Sequence, residues 1–438
     1  MTATTASTRL PPSAPSEIAT GVRSAPFGLL DRVLLVTLCV TVALLPLEGA
    51  VLVGGSATIT IYVGALSTAA FFGSLVFERR PIHRSGAPGH ALFLRIALSA
   101  LGLVFWTQDP ESTQRQFQLL LRLSLLSIIV FQVAAGSERR RRLLCQSFGV
   151  GAATAAFIIV NNWRLDKTWV EASGNVQRTI AEAGVGAAQR FSVGRVDPNY
   201  MALVLGVGLC MVWASFPKRP SYALTPLLAF GIVLTGSRTA LVAAFIGGLY
   251  FFTRGAFAGR QRARLFAGML VGTAAVAFSW QFVPVDTQVR AQSVLTAKED
   301  ASANERRDAW AGGISAFAQR PVLGAGLASF LVYTSNVTDL DPSAAHSLYV
   351  NQLVEGGLVG TLISIYGFLG VWRATANIRA STRVSPERLA LIVWAATGIA
   401  LDLDLNKLTF VLLPLCLSLG VHTRTGQTAA RDELPAAK

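Results

Sequence analysis

Long apolar runs dominate this chain and limit what it can fold into. A window of about 19 residues moved along the sequence finds twelve runs that are apolar enough to cross a bilayer. They lie near residues 29–48, 58–77, 90–107, 117–136, 143–161, 199–215, 223–236, 238–253, 265–284, 346–372, 389–403 and 407–422. Because a bilayer core needs about 20 residues of helix, the runs 223–236 and 238–253 are short. The sequence therefore predicts an all-α polytopic membrane protein with about twelve transmembrane helices.

Composition agrees with this fold class. Of the 438 residues, 52% are hydrophobic and 14% are charged, and the mean hydropathy is +0.50, whereas soluble domains carry about 25% charged residues. Four cysteines lie in or beside apolar runs without the paired spacing of a metal site or a disulfide framework. The segment 1–28 is rich in Ser, Thr, Ala and Pro, so we expect a disordered tail followed by an uncleaved membrane anchor.

Basic loops predict the orientation of the helices. Lys and Arg concentrate in alternate loops, at Arg79, Arg80 and Arg84; Arg139 to Arg142; Lys218 and Arg219; Arg254, Arg260, Arg262 and Arg264; and Arg373, Arg379, Arg383 and Arg388. Such loops are cytoplasmic in polytopic proteins, which places both termini on the cytoplasmic side. We call this side the inner end of the helices and the opposite side the outer end. The net charge of +14 then reflects orientation, and we expect no nucleic-acid partner because nothing resembles a base-reading module.

This topology divides the chain into helical groups, loops and tails. The predicted units are a cytoplasmic tail at 1–28, helices at 29–161, an outer loop at 162–198, helices with an outer GSRTAL turn at 199–284, a large outer loop at 285–345, helices at 346–422 and a cytoplasmic tail at 423–438. Loops of this length usually carry function. The outer end is therefore where we look for a site.

The second outer loop contains a predicted amphipathic helix. Ser302 and Glu305 fit a capping box, and Pro321 ends the pattern. An arginine heads an apolar stripe along one face of this helix, formed by Arg306, Trp310, Ile314 and Phe317. The helix either lies on the membrane surface with Arg306 turned toward the protein, or simply packs on the bundle.

Two arginines stand at outer turns. Arg238 lies in apolar sequence, where a cation is costly enough to indicate a functional partner. Its planar fork suits a phosphate or pyrophosphate headgroup, and the alternative is a structural pair with an acid or with helix carbonyls. Arg195 precedes a second turn, in which Asp197 or Asn199 can equally serve as a plain helix cap.

One histidine is predicted at the outer end. His346 stands where a polar segment meets an apolar run, and the other three histidines are predicted to be cytoplasmic: His83, His90 and His422. An imidazole can take a proton near neutral pH, so His346 is a candidate general base. Asn351, Gln352 and Glu355 follow on the next turns and could orient an acceptor hydroxyl. The alternative is that His346 is a structural helix cap.

An Asp-x-Asp pair raises the question of a metal site. Asp402 and Asp404 could hold one divalent cation only if the backbone there is extended or broken, because positions two apart on a helix point about 200° apart. We expect instead that one of them pairs with Lys407 or an arginine of the site and that the other meets solvent. The sequence thus predicts no metal site.

Four motifs follow one another between about residues 190 and 370. They are GRVDPNYMAL, then GSRTAL, then RRDAW followed by AQRPVLGAGLASF, then AAHSLYVNQLVEGGLVG, with the large outer loop before the histidine. In this order they resemble the O-antigen ligase and O-antigen polymerase superfamily. The resemblance implies a metal-independent, GT-C-like membrane glycosyltransferase that needs no cofactor. It also implies a bacterial inner membrane and a periplasmic active site.

The resemblance implies a donor, an acceptor and roles for particular residues. The donor is a glycan on undecaprenyl pyrophosphate, and the acceptor is lipid A core for a ligase or a growing glycan for a polymerase, of O-antigen or of exopolysaccharide. His346 matches the family's candidate catalytic histidine, and Arg238 and Arg306 match arginines that hold the pyrophosphate. Arg195 is a weaker match, and Arg307 is the alternative to Arg306 because it directly follows it.

Two other classes of protein stay open at this point. A lipid-linked glycan flippase or transporter has a similar number of spans, but its charged residues are expected near the middle of the spans. In the sequence they cluster at the outer ends. A non-catalytic partner of a polysaccharide assembly machine would tolerate loss of His346.

Overall fold

The computed structural model describes residues 28–48, 52–53, 57–168, 190–254, 301–338, 344–376 and 385–432. The predicted span 265–284, the tail 1–27 and large parts of both outer loops lie outside these ranges.

Regular structure in the described ranges is almost entirely helical. The helices are α1 (Leu29–Leu44, followed by a 3-10 turn at Leu45–Leu47), α2 (Ile59–Phe77), α3 (Ala87–Phe105), α4 (Pro110–Gly136), α5 (Glu138–Arg164), α6 (Pro198–Ser215), α7 (Lys218–Leu234), α8 (Arg238–Arg254), α9 (Ala301–Gln319), α10 (Phe330–Val337), α11 (Leu348–Ala376), α12 (Pro386–Thr397) and α13 (Lys407–Asp432). Two-residue strands, β1 (Leu52–Val53) and β2 (Ala57–Thr58), form a short antiparallel pair. The predicted all-α class is confirmed.

Seven helices in the described ranges are long and apolar enough to cross a membrane. They are α1 with its 3-10 turn, α2, α3, α4, α5, α6 and α11. Shorter apolar stretches lie in α8 and α13, at Arg238–Tyr250 and Lys407–His422. A polytopic membrane protein is thus supported, and the total of twelve spans stays a prediction.

Two predicted boundaries were wrong. The basic segment from Arg139 to Arg142 is not a loop but the first turn of α5, because Ser137 alone separates α4 from α5 and its hydroxyl accepts a hydrogen bond from the Arg140 N–H at 3.2 Å. The predicted span 389–403 ends as a helix at Thr397. Beyond it, the Asp404 N–H donates to Asp402 Oδ1 at 3.1 Å, a local turn that competes with helix formation.

Buried apolar side chains of the described residues form three clusters, of which the most extensive joins α1 to α5 and α6. Helix α1 contacts α2 and α5, α4 contacts α13, α3 contacts α11, and α5 contacts α6. Leu34 and Leu38 of α1 and Leu144 of α5 are fully buried in the most extensive cluster. Gly151 permits the close approach of α1 and α5, since a Cβ there would lie 2.0 Å from the Ala43 carbonyl oxygen. Such close contacts matter in a membrane, where van der Waals packing and not the hydrophobic effect holds helices together.

Buried ion pairs join the helices at the inner end. Asp31 of α1 pairs with Arg80, at 3.0 Å, and with Arg140. Arg141 pairs with Glu387 of α12 at 2.7 Å, and both side chains are about 95% buried. We call these five residues the inner ion-pair cluster. Their burial shows that several of the arginines which predict orientation also connect helices that are distant in the sequence.

Candidate functional site

His346 stands on a strained backbone segment just before α11. Its φ is +46°, in the left-handed region that costs a non-glycine residue about 1–3 kcal/mol unless the surroundings hold it. Two hydrogen bonds hold the flanking residues: the Trp310 indole N–H donates to the Ala345 carbonyl at 3.1 Å, and the Leu348 N–H donates to the Gly398 carbonyl at 2.8 Å. The imidazole is half-buried. The fold therefore fixes the direction in which His346 leaves the backbone.

Helix α9 brings a cation to this histidine. The helix spans Ala301–Gln319 and ends before Pro321 as predicted, but it already includes Ser302, which was expected to cap it. The side chain of Ser302 lies outside the described residues. Arg306 is half-buried, one helical turn before Trp310, whereas Arg307 is exposed. The difference in burial supports Arg306 over Arg307 as the residue that faces the site, and this choice stays a prediction.

The buried face of α9 differs from the predicted apolar stripe. Ile314 is 59% exposed, and the buried positions are small residues: Ala309, Gly312, Gly313 and Ala316. A Cβ on Gly313 would lie 2.6 Å from the Val350 side chain of α11. Small residues let the two helix backbones approach closely, and for this reason the contact surface is centred on them and not on the large apolar side chains.

Charged groups around His346 change its proton affinity. Burial lowers the pKa of the imidazole, and the positive charge of Arg306 lowers it further. Glu305 and Asp197 act in the opposite direction and raise the pKa. The net direction is downward, so the imidazole is neutral at neutral pH and has a lone pair to accept a proton.

A buried arginine joins the two outer turns. Arg190 is only 3% exposed, and its Nε donates to the Thr235 carbonyl at 3.0 Å while its Nη2 donates to Asn199 Oδ1 at 2.9 Å. It ties the turn before Arg238 to the turn that carries Asp197. Sequence reasoning missed Arg190, although the argument made for Arg238, that of a cation in apolar surroundings, applies equally to it.

Asp197 is the N-cap of α6. Its carboxylate accepts hydrogen bonds from the N–H groups of Asn199, at 2.8 Å, and Tyr200, at 3.0 Å. The capping alternative is therefore confirmed for Asp197. Asn199 instead uses its side-chain oxygen to bind Arg190.

Arg238 and Arg195 occupy different environments. Arg238 is half-buried and begins α8, directly after a turn in which Gly236 has a φ of +62°. The N-terminus of a helix carries partial positive charge and exposed N–H groups, so Arg238 and the helix end both favour an anion. Arg195 is exposed, two residues before the Asp197 cap. Arg238 therefore lies against the helix bundle, whereas Arg195 lies at the surface.

The two aspartates after α12 have different partners. Asp404 forms an ion pair with Arg95 of α3, and Lys407 pairs with Glu48. Asp404 thus pairs with an arginine, but this arginine is not one of the predicted site residues, and Lys407 has a different partner. Asp402 is exposed. Across the described ranges, no group of three or more His, Cys, Asp and Glu residues could hold a metal ion.

Two of the three polar residues expected to orient an acceptor already bind protein groups. Asn351 Nδ2 donates to Asp402 Oδ2 at 3.3 Å, and Glu355 Oε1 accepts from the Phe330 N–H at 3.3 Å. These contacts hold the loop after α12 and the start of α10 against α11. Their orienting role toward an acceptor stays a prediction.

The fold and the site define a class of protein. It is an all-helical membrane protein with a neutral imidazole just before α11 and a neighbouring guanidinium on α9. Residues 223–365 match a family model described as O-antigen ligase. The match confirms the resemblance to the O-antigen ligase and polymerase superfamily. The matched segment contains Arg238, Arg306, Arg307 and His346, whereas Arg195 precedes it. No curated protein matches the chain.

Proposed function

We propose that this protein is a membrane glycosyltransferase of the O-antigen ligase type, which moves a glycan from undecaprenyl pyrophosphate to a sugar hydroxyl on the periplasmic face. One observation carries the proposal. Within the segment that matches the family, α9 binds the residue before His346 through the Trp310 indole and carries Arg306 one turn earlier, and burial followed by the charge of Arg306 lowers the pKa of the imidazole. A neutral base beside a cation is what transfer from an anionic lipid donor requires.

In the proposed mechanism His346 acts as the general base. The acceptor hydroxyl loses its proton to the imidazole, and its oxygen forms a bond to the anomeric carbon of the lipid-linked sugar. The bond from that carbon to the pyrophosphate oxygen breaks, and undecaprenyl pyrophosphate leaves with the electron pair. General-base help of this kind contributes about 10²–10⁴-fold to the rate.

The arginines stabilise the departing pyrophosphate. Arg306 and Arg238 are half-buried, so each guanidinium is partly shielded from water, and shielding strengthens its interaction with growing negative charge. Arg195 and Arg307 are exposed and take a secondary role at the rim. The mechanism uses protein groups alone and is proposed as metal-independent.

The proposed reaction has two forms, which differ in the acceptor. In a ligase the acceptor is lipid A core, and in a polymerase of O-antigen or exopolysaccharide it is a growing lipid-linked chain. We place the ligase first because the matched family model is described as O-antigen ligase. The inner-membrane location, the cytoplasmic termini and the GT-C-like arrangement are parts of the same proposal.

The deciding experiment is the glycan profile of a deletion strain complemented with wild-type protein, His346→Ala or His422→Ala. His422 serves as the control because its ring nitrogen binds the Ala134 carbonyl at the inner end, at 2.9 Å. Free, lipid-linked and core-linked glycans are separated by size. We expect wild type and His422→Ala to restore transfer and His346→Ala to fail while accumulating in the membrane.

The profile of the deletion strain also separates the alternatives. Long chains that stay on undecaprenyl pyrophosphate identify a ligase, and single repeats identify a polymerase. A flippase would instead leave lipid-linked repeats on the cytoplasmic face, inaccessible to a glycosidase added outside spheroplasts. Full transfer by His346→Ala would refute the base and favour a non-catalytic assembly partner.

A further inference from the structure

A large apolar groove lies between α3, α4, α11 and α13. Its volume is about 1260 Å³, above the roughly 300–1,000 Å³ of ordinary small-molecule pockets. Three of its four walls are helices long and apolar enough to cross a membrane. None of the five predicted site residues lines it. Gln352, one of the residues expected to orient an acceptor, does line it, so the groove extends from the inner end toward the candidate site. It has room for a ligand larger than a typical metabolite.

One wall of the groove contains a break in helix hydrogen bonding. Pro414 lies inside α13 and lines the groove together with Phe410. Proline has no N–H, so the Phe410 carbonyl loses its usual helical donor, and the ring also prevents ideal packing of the preceding turn. The backbone hydrogen bonding of this wall is therefore interrupted at Phe410.

The inner mouth of the groove is a rigid basic loop. Gln132 of α4, only 7% exposed, binds this loop twice: its Oε1 accepts from the His83 N–H at 2.8 Å, and its Nε2 donates to the His83 carbonyl at 2.7 Å. Burial, followed by the charge of Arg80, lowers the pKa of His83, so this imidazole is neutral. Arg84 lines the mouth, is exposed, and supplies a fixed positive charge there.

A buried hydroxyl lies in the wall, deeper than the basic mouth. Gly370 and Gly367 of α11 pack on Pro88 and Ala91 near the start of α3, and Ser364 follows about one turn further from the mouth. Among the residues that the structure describes, Ser364 Oγ is buried without a hydrogen-bond partner, and it lines the groove. Ser364 therefore marks a position in the wall at which a larger side chain would project into the groove.

We propose that the groove binds a phospholipid, with its acyl chains along the apolar walls and its phosphate at Arg84. The inner part of the groove fits this amphiphile, because the positive charge of Arg84 is at the mouth and most of the lining beyond it is apolar. The ion-paired Arg95 and Asp404 line the outer part of the groove. The lipid is a bound component and not a reactant, since the pyrophosphate of the glycan donor is assigned to Arg238 and Arg306. This distinction from the donor rests on the proposed function, whereas binding of a phospholipid in the groove does not depend on the transfer reaction.

Native mass spectrometry of the full-length protein tests the proposal. The protein is purified in detergent, stripped of loosely bound lipid and titrated with phosphatidylglycerol. We expect one tightly retained lipid on the wild type and loss of that lipid in Ser364→Phe, which fills the groove. Leu362→Phe is the matched control, because Leu362 is 62% exposed on the same helix and does not line the groove.

A second pair of variants tests binding of the phosphate headgroup and changes only exposed residues. Arg84→Gln is expected to weaken retention about fivefold at low salt, as one basic residue near a membrane surface contributes about 1 kcal/mol. Arg219→Gln, an exposed basic residue at the start of α7 that does not line the groove, is expected to change nothing. Both arginines are exposed, so these variants remain informative if Ser364→Phe fails to fold.

Three results would overturn the proposal. Equal retention by Ser364→Phe and Leu362→Phe would place the lipid outside the groove, and equal retention by Arg84→Gln and Arg219→Gln would remove the phosphate from the mouth. Displacement of phosphatidylglycerol by undecaprenyl phosphate, with binding of the latter lost in Ser364→Phe, would assign the groove to a polyprenyl chain. No glycan transfer enters these measurements, so they succeed or fail independently of the proposed enzyme activity.

Discussion

The inner ion-pair cluster and the surroundings of His346 use arginine in two different ways. At the inner end, Asp31 binds both Arg80 and Arg140, which neutralises charge between helices that are far apart in the sequence. Near the outer segments, Arg306 acts on an imidazole and lowers its pKa. An arginine whose main neighbour is a carboxylate stabilises the fold, whereas one beside a titratable base changes what that base can do.

This difference bears on how the role of a buried arginine in a membrane protein is inferred. Both kinds of arginine are costly to bury, and cost alone does not reveal function. At the inner end the ion pair with a carboxylate lowers the cost of burial, and near His346 the charge of Arg306 also changes the protonation of an imidazole. Mutations at the two ends should therefore affect different measurements.

Loss of Asp31 is expected to have the largest effect on stability. Asp31→Ala leaves Arg80 and Arg140 buried without their shared carboxylate, and breaking a buried ion pair in this way costs about 3–5 kcal/mol. Membrane abundance and the thermal midpoint of the detergent-purified protein measure the loss. Glu111→Ala is the control: it removes an exposed pair with Arg115, whose side chains are 78% and 72% exposed, and should change stability by less than about 1 kcal/mol. Equal stability of the two variants would mean that the inner ion-pair cluster does not hold the helices together.

Arg306 is expected to govern transfer without governing stability. Arg306→Ala should lower the initial rate of transfer about 10²-fold, the effect of removing one group that stabilises transition-state charge. Arg307→Ala, the exposed neighbour on the same helix, should stay near wild type. The rates are measured in proteoliposomes with a lipid-linked donor, at matched protein amounts.

The conservative replacement sharpens this test. Arg306→Lys keeps the charge but loses the planar fork, so it should recover only part of the activity. A larger loss in Arg307→Ala than in Arg306→Ala would reverse the assignment of the two residues. Normal rates in both variants would remove α9 from the site altogether.

The pH dependence of transfer separates charge from position. A general base works when deprotonated, so the rate rises with pH through the pKa of His346 and is level above it. Because the folded pKa is lowered, the wild-type rate should stay level to a pH below the ordinary value of about 6.5. Arg306→Gln should raise this pKa and move the acidic limb to higher pH, whereas Glu305→Gln should lower the pKa and move the limb to lower pH. Identical limbs in the two variants would show that His346 does not titrate in the profile.

The sequence predicted those features whose physical cause is local. Apolar runs predict most of the helices because each helix satisfies its own backbone hydrogen bonds, and the end of α9 follows from the breaker Pro321. The packed face of α9 was not predicted, because close packing selected small residues such as Gly313 over Ile314. Large apolar side chains identify the packed face of a helix that is exposed to water on its other side. They identify the packed face of a helix in a membrane protein much less well.

The sequence did not predict contacts between residues that are far apart in the chain. Arg95 and Asp404 are 309 positions apart, and no spacing rule relates them. Arg190 was missed for a different reason, since its surroundings are visible in the sequence but its two partners, Thr235 and Asn199, are on separate turns. Sequence context singled out His346, Arg238, Arg306 and Arg195, the family resemblance supplied their proposed roles and added Arg307, and the structure adds how their segments are held.

The smallest predicted effect concerns the hydrogen bond that holds the segment of His346. Trp310→Phe keeps a large aromatic ring but removes the N–H that donates to the Ala345 carbonyl at 3.1 Å. One such bond contributes about 1 kcal/mol, so we expect kcat for transfer to fall about fivefold with little change in KM for the donor, since Trp310 positions His346 and the pyrophosphate is held by arginines. Trp213→Phe is the matched control, because it removes an indole hydrogen bond to Thr225 of 3.0 Å between α6 and α7, far along the chain from His346. If the two variants lose activity equally, the loss reflects general stability, and the left-handed backbone at His346 needs no support from α9.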